Sequence, residues 1–384
     1  MERVRFEDIV TRVNTKEDRF NTDKIYYVGG EHIESNDLKV HQRGIIKGST
    51  IGPMFYCGFK AGDVLFVTRN PHLRKCATVD FDGICSEKTF VLGTKDSSRL
   101  LQEYLPLIMQ SDDFWAYCEE NKSGGVNFFV NWSTLANYEF ELPSLEEQRV
   151  LADKLWAAYE VKESYKNLLA QTDKLLHAQF EKMFGEETNT PHEKLEKLCK
   201  TFIDGDWIES KDQSAEGVRL VQTGNVGNGE YLDKIDKAHY ITESTFDRLH
   251  CTEIFAGDIL VSRLPDPIGR ACIIPEGLGK AITAVDCTII RLNEERILPK
   301  FFIAATNSTT YQDKVRSFIT GTTRARISRG NLATIEIPVP PMKLQEEFVT
   351  VAEQAEQTKA SLNKGIEAIE AVIRSLIAEG ATKV

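Results

Sequence analysis

The 384 residues carry 47 Lys/Arg against 58 Asp/Glu, a formal charge of −11, and 41% of them are hydrophobic. This is globular composition for two or three domains, and it excludes a collagenous, disordered or disulfide-stapled chain. No apolar run approaches the roughly 20 residues of a membrane span, and Met1 to Phe6 offers no apolar signal region, so a cytoplasmic protein without membrane contact is expected.

In chain order, residues 1–142 read as a mixed module of short strands. Lys24 to Val28 stops at Gly29-Gly30, and Asp63 to Val67 is an apolar run of β-formers. Leu100 to Cys118 has helical spacing and predicts one helix. Pro143 then precedes Ser144-Leu145-Glu146-Glu147, a capping box, and the stretch from there to Gly185 contains no Pro or Gly. About 40 residues at a rise of 1.5 Å predict a helix of roughly 60 Å. Residues 191–338 repeat the first plan, with strands at Val218–Val221 and Ile259–Val261 and a helix over Lys300–Val315. Pro340-Pro341 leads into a second long helix, from Lys343 to Glu379, closed by Gly380.

The repetition is also literal. Ala61-Gly62-Asp63-Val64-Leu65 returns as Ala256-Gly257-Asp258-Ile259-Leu260, 195 residues on, and Glu139-Phe140-Glu141-Leu142-Pro143 returns as Glu336-Ile337-Pro338-Val339-Pro340, 197 residues on. A period of that size is a domain plus a helix, not a solenoid repeat. The long helices share a heptad phase. Leu151, Leu155, Ala158, Lys162, Tyr165, Leu169, Thr172 and Leu176 become Phe348, Ala352, Ala355, Lys359, Leu362, Ile366, Ile369 and Ile373. Alternating spacings of four and three are coiled-coil spacing, so the two helices are expected to pack on each other, with Lys162 and Lys359 either setting the register or snorkelling.

Catalytic chemistry is hard to find. There is no P-loop, no Gly-x-Ser-x-Gly elbow and no His-Glu-x-x-His. Asn70-Pro71-His72 lacks the second Pro and the aromatic of an amino-methyltransferase motif, and Gly224 to Gly229 reads as a turn because no helix comes after it. The eight cysteines are scattered without metal-ligand spacing, and the seven histidines are dispersed. Residues 1–142 hold 17 Lys/Arg against 21 Asp/Glu and residues 191–338 hold 19 against 21, so neither grips nucleic acid by net charge alone.

The order of parts resembles the specificity subunit of type I restriction–modification systems, over essentially the whole chain. Leu142-Pro143-Ser144-Leu145-Glu146-Glu147-Gln148 and Ile337-Pro338-Val339-Pro340-Pro341-Met342-Lys343-Leu344-Gln345 each precede a long helix. The paired Ala-Gly-Asp strands and Val221-Gln222-Thr223-Gly224-Asn225-Val226 are similar to that family's target-recognition domains. The resemblance implies a mixed α/β (α+β) fold with two target-recognition domains, 1–142 and 191–338. Two long antiparallel helices, in 143–190 and 339–384, would form a coiled-coil spacer. It implies a non-catalytic chain that reads a two-part site on double-stranded DNA. Two modification subunits would dock on the scaffold and hold S-adenosylmethionine, this chain having no cofactor of its own, and restriction/motor subunits can join them. A stand-alone modifying or restriction enzyme and a helical scaffold without DNA are the alternatives.

Base reading needs forked donors or paired donor and acceptor groups. In the first module the candidates are Lys47, Ser49, Thr50, Arg69, Asn70, His72, Arg74, Lys75 and Lys122. In the second they are Arg263, Arg270, Thr320, Thr322, Thr323, Arg324, Arg326 and Arg329, with Gly321 letting the backbone approach a phosphate. Arg69 and Arg263 each end a matched strand, so a structural role for both stays open.

Overall fold

The computed structural model describes residues 2–321 and 324–381. It divides into two compact units: one holds the chain up to Asn167 and again from Leu362, the other Leu168–Ser361. Each long helix contributes one half to each unit.

The units share a plan. In the first, an antiparallel sheet runs Val10–Val13, Thr89–Thr94, Val64–Val67, Cys76–Thr78. A second sheet, Gly44–Ile45, Tyr26–Val28, Gly83–Ser86, Phe55–Phe59, contains one parallel pair, the middle one. In the second unit the counterparts are Cys199–Asp204, Cys287–Leu292, Ile259–Ser262, Ala271–Ile273, and a five-stranded sheet whose single parallel pair is Val218–Val221 with Ala281–Thr283. A short antiparallel pair closes each unit, Glu2–Arg5 with Glu139–Leu142 and His192–Lys194 with Glu336–Pro338. The Ala-Gly-Asp repeat is the tight turn entering the central strand. Asp63 and Asp258 accept the amides of Lys60 and Phe255 at 2.8 and 3.0 Å, and Gly62 and Gly257 take φ of +94° and +90°, where an L side chain is strained. The strands entered by these turns, Val64–Val67 and Ile259–Ser262, are buried along their whole length, because both of their faces carry packing layers.

Two helices expected to be single are broken, for the same reason in both units. Leu100–Cys118 resolves into a short turn, Leu105–Met109 and Asp112–Glu120. Lys300–Val315 resolves into Pro299–Thr306 and Thr309–Ser317. At each break a buried serine, Ser111 or Ser308, caps the next helix through the amide of Phe114 or Tyr311, both at 3.2 Å, while its hydroxyl donates to a carbonyl of the helix before it. Competition by a serine side chain for backbone groups ends one helix and starts another.

The long helices span Leu145–Phe184 and Met342–Ala381, and the second continues through Gly380, whose carbonyl accepts the Tyr104 hydroxyl at 3.2 Å. The Ser144–Glu147 capping box forms as expected. Within each unit the helix segments run antiparallel. In the first unit Leu151, Leu155 and Tyr159 share a core with Ile373 and Leu376, Ile369 packs against that core, and Leu362 and Ile366 are half-buried. Gly365 faces the Tyr165 ring, where a Cβ would come within 2.4 Å. In the second unit Phe180 and Phe184 from the first helix meet Phe348 and Phe301 at ring distances of 5.0–6.0 Å. Ala352 and Leu176 extend that core, and Leu169 is half-buried. The matched lysines have found separate solutions. Lys162 is buried over the Tyr159 ring at 4.5 Å, whereas Lys359 pairs with Asp173 on the other helix at 2.7 Å.

The helices are seated by a glutamine that appears twice. Gln148 is fully buried, accepts the Leu101 amide at 2.9 Å, and donates to the carbonyls of Arg99 and Pro143 at 2.8 and 2.9 Å. Gln345 accepts the Leu298 amide at 2.9 Å and donates to Arg296 and Pro340 at 2.9 and 2.8 Å. Every partner lies 197 residues from its counterpart.

Candidate nucleic-acid interface

One end of the four-stranded sheet collects the loops that matter in each unit. Antiparallel pairing places the end of Val64–Val67 beside Thr89 and the end of Val10–Val13 beside Val91. Ile259–Ser262 likewise ends beside Cys287 and Cys199–Asp204 beside Thr288. At this end a small hairpin adds to the chain leaving the central strand. In the first unit Ser123 and Phe129 exchange backbone hydrogen bonds at 2.8 and 2.9 Å, and the Asn70 and Val130 amides reach the carbonyls of Phe128 and Thr68. In the second unit Thr320 and Arg326 exchange bonds at 2.9 Å, and the Ile327 amide reaches the Arg263 carbonyl. The hairpins turn on Gly124 (φ +98°) and Gly321 (φ +93°), where an added Cβ would sit 2.6 Å from the carbonyl oxygens of Asn127 and Arg324.

The candidates of the first unit are only partly brought together. Arg69 lies 5.4 Å from the Phe129 ring centroid and Lys122 lies 4.4 Å from that of Phe128 while pairing with Glu119 at 2.6 Å. Asn70 and Arg74 hold left-handed φ of +51° and +49° around the Pro71–Leu73 turn, leaving His72 exposed. Arg74 pairs with Asp112 at 2.6 Å and the Lys75 ammonium donates to the Gly30 carbonyl at 2.6 Å, so both are held by the fold. Lys47, Ser49 and Thr50 belong to another place. Ile45 pairs with Tyr26, the first residue of Tyr26–Val28, whereas Gly30 lies past that strand's last residue. Lys47 and Ser49 line a groove of about 600 Å³ with Arg19, Phe20, Ile25 and Ile45.

In the second unit two arginines expected as readers are structural. Arg263, 8% exposed, donates to the carbonyls of Ile327 and Val285 and pairs with Asp204 at 3.3 Å. Arg270, 6% exposed, donates to four carbonyls, those of Val226, Leu264, Pro267 and Thr223, at 2.6–2.8 Å. It fastens the turn at Thr223–Asn225 to the loop after the central strand. Burial draws its guanidinium below the ordinary arginine value. These cations satisfy carbonyls of the fold, those of Thr223 and Leu264 also accepting the Val226 amide and the Ser262 hydroxyl. Thr320, Arg324, Arg326 and Arg329 are exposed. Arg324 pairs with Asp286 at 2.8 Å and Arg329 approaches Asp204 at 3.8 Å, which holds their stems without burying their donors. Thr322 and Thr323 lie outside the described residues.

Reading the residues one at a time missed Phe128 and Phe129 and the pairing of the two hairpins. The signal was available, because Ser123-Gly124 lies 197 residues before Thr320-Gly321, the same spacing as the helices. Among the described residues no group of three His, Cys, Asp or Glu is placed to hold a metal ion, and no helix is long and apolar enough to cross a membrane.

Comparison with known proteins adds three findings. Residues 192–371 match the family model of the type I restriction modification DNA specificity domain. A solved structure described under complex assembly and conformational transition of the type I R-M system superposes with a TM-score of 0.62 at 18% identity, covering 100% of this chain and 98% of that one. The type I restriction-modification S subunit from M. genitalium gives 0.57 at 15% identity, covering 99% and 96%. At such identities these likenesses establish the fold. No curated protein sequence matches the chain.

Proposed function

We propose that the chain is a specificity subunit of a type I restriction–modification system, a reading supported by the match of residues 192–371 to that family's DNA specificity domain, and that it chooses a two-part DNA sequence for partner subunits that do the chemistry. Residues 1–142 and 191–338 each read one half of the site. The helices in 143–190 and 339–384 set the separation of the halves and carry two modification subunits, which supply S-adenosylmethionine and methylate adenine in the cytoplasm. The chain itself catalyses nothing.

One observation carries this reading: the same glycine-turned hairpin, on the same end of the same sheet, occurs once in each unit with different side chains. Around Gly124 it offers Arg69, Lys122 and two aromatic rings. Around Gly321 it offers Arg324 and Arg326. A repeated backbone with changed donors is what reading two different half-sites requires, since bases are distinguished by donor and acceptor pattern. The near-neutral units fit a shared task, because partner subunits can neutralise much of the phosphate charge.

The test is a map of methylated adenines in cells carrying the chain with its modification partner. A split motif is expected, and exchanging residues 1–142 for another module should alter one half of it. A continuous motif, or both halves changing together, would sink the two-reader proposal.

A further inference from the structure

We propose that Trp207 is a base-stacking platform of the second unit, resting on the DNA-reading function above. Of the four tryptophans, Trp115 is buried among aromatic rings, Trp132 is half-buried against the same core, and Trp156 donates its indole N–H to the Glu103 carbonyl at 2.9 Å. Trp207 is 72% exposed. Its indole N–H meets the Glu209 carboxylate while the ring faces stay in water, so an apolar face with a fixed polar edge is presented to a partner.

Its position is rigid and local to the hairpin. The Gly205 amide donates to Cys287 and the Asp206 amide to Thr283, while the Val285 amide returns to Asp206, all at 2.8–2.9 Å. Gly205 lies so close to this connection that a Cβ would stand 2.4 Å from the Thr283 carbonyl oxygen. The 283–287 connection also carries Asp286, the partner of Arg324. The residues just before Trp207 and the Arg324 side chain therefore meet the same short connection.

The surroundings decide what the ring meets. Asp206 and Glu209 flank it in the chain, and Glu209 is already engaged by Lys211 at 2.6 Å. Phosphates are repelled from carboxylates, so the ring approaches a base face rather than the backbone, while Arg324 and Arg326 are the groups suited to phosphate or guanine. In a duplex such a face is open only where a base step is wedged apart or a base is displaced, and stacking there is tolerant of base identity. Trp207 accordingly supplies affinity and position, and the hairpin cations supply the choice of base.

The experiment compares wild type, Trp207→Phe and Trp207→Ala in the assembled complex with its modification partner, on a duplex bearing the mapped site. Trp207→Ala should weaken specific binding about tenfold, the effect of losing one stacked base, while Trp207→Phe retains most of it and both assemble normally. In wild type labelled with 5-fluorotryptophan, the Trp207 resonance, assigned from the Phe variant, should shift when duplex is added. Unchanged binding by Trp207→Ala, a resonance that stays put, or a variant that folds but no longer captures the modification subunit would each overturn the assignment, the last by showing a protein contact. A wild-type complex that binds no duplex would instead overturn the DNA-reading function itself.

Discussion

At the scale of single residues, the fold depends on a few polar side chains that finish backbone hydrogen bonding. Gln148 and Gln345 each hold one amide and two carbonyls where a long helix enters its module. Removing such a side chain leaves buried groups unpaired, at about 1–3 kcal/mol each. Gln345→Ala should lower the stability of the second unit by about 3 kcal/mol and Gln148→Ala that of the first, read by hydrogen exchange at Leu298 and Leu101. Asp37 gives a second case. Burial alone would raise its carboxyl, but the Tyr159 hydroxyl, the Lys162 ammonium and the Lys39 amide together hold it below the ordinary aspartate value of 3.8. A group depressed in the folded state stabilises it above the unfolded pKa, and that contribution disappears as pH falls through the folded value. The advantage of wild type over Asp37→Asn, about 2 kcal/mol, should therefore be full at about pH 6 and shrink below about pH 3.8 in a calorimetric series. An advantage that grew on acidification would refute the assignment.

At the scale of elements, what could be read from sequence was whatever repeats in period or position. The central strands, the capping box and the heptad phase of the long helices come from side-chain patterns that tertiary packing does not overrule. The broken helices were missed because Ser111 and Ser308 sit within apolar spacing that looks continuous, which hides two ordinary N-caps. The site was half legible. A basic cluster at 320–329 is visible in composition, but the burial of Arg263 depends on carbonyls 22 and 64 positions away, and that of Arg270 on carbonyls 3 to 47 positions away. The hairpins rest on their glycines. Gly321→Ala and Gly124→Ala meet both a positive φ and a backbone oxygen at 2.6 Å, so each should cost more than about 1 kcal/mol and impair reading of one half-site only. Equal methylation of both half-sites by Gly321→Ala would show that the hairpin takes no part.

At the scale of the molecule, two units of the same plan share two helices, and the DNA-reading proposal makes separable demands on them. Arg324→Ala with Arg326→Ala should weaken duplex binding and leave assembly with the modification subunits intact. Each cation withdrawn from a phosphate lowers the salt slope by about 0.9. A slope reduced by up to about 2 therefore distinguishes phosphate neutralisation from base reading, which changes specificity instead. An unaltered affinity at moderate salt would remove this hairpin from the interface.

The shared glutamine seat bears on folding as well. Since Gln148 and Gln345 bind the same constellation of backbone groups, that socket alone cannot tell either helix which module it has met. Discrimination falls to positions about two and three turns along, where the helices differ. Trp156 and Tyr159 of the first helix reach Glu103 and Asp37, whereas the residues 197 positions later, Glu353 and Glu356, meet Lys300 at 3.0 and 3.6 Å. A helix docked on the wrong module would bring a carboxylate pair toward Asp37, or leave Lys300 facing an indole. The common latch fits either helix, and the private contacts beside it disfavour the mistaken one, so the duplicated chain guards itself against its own symmetry.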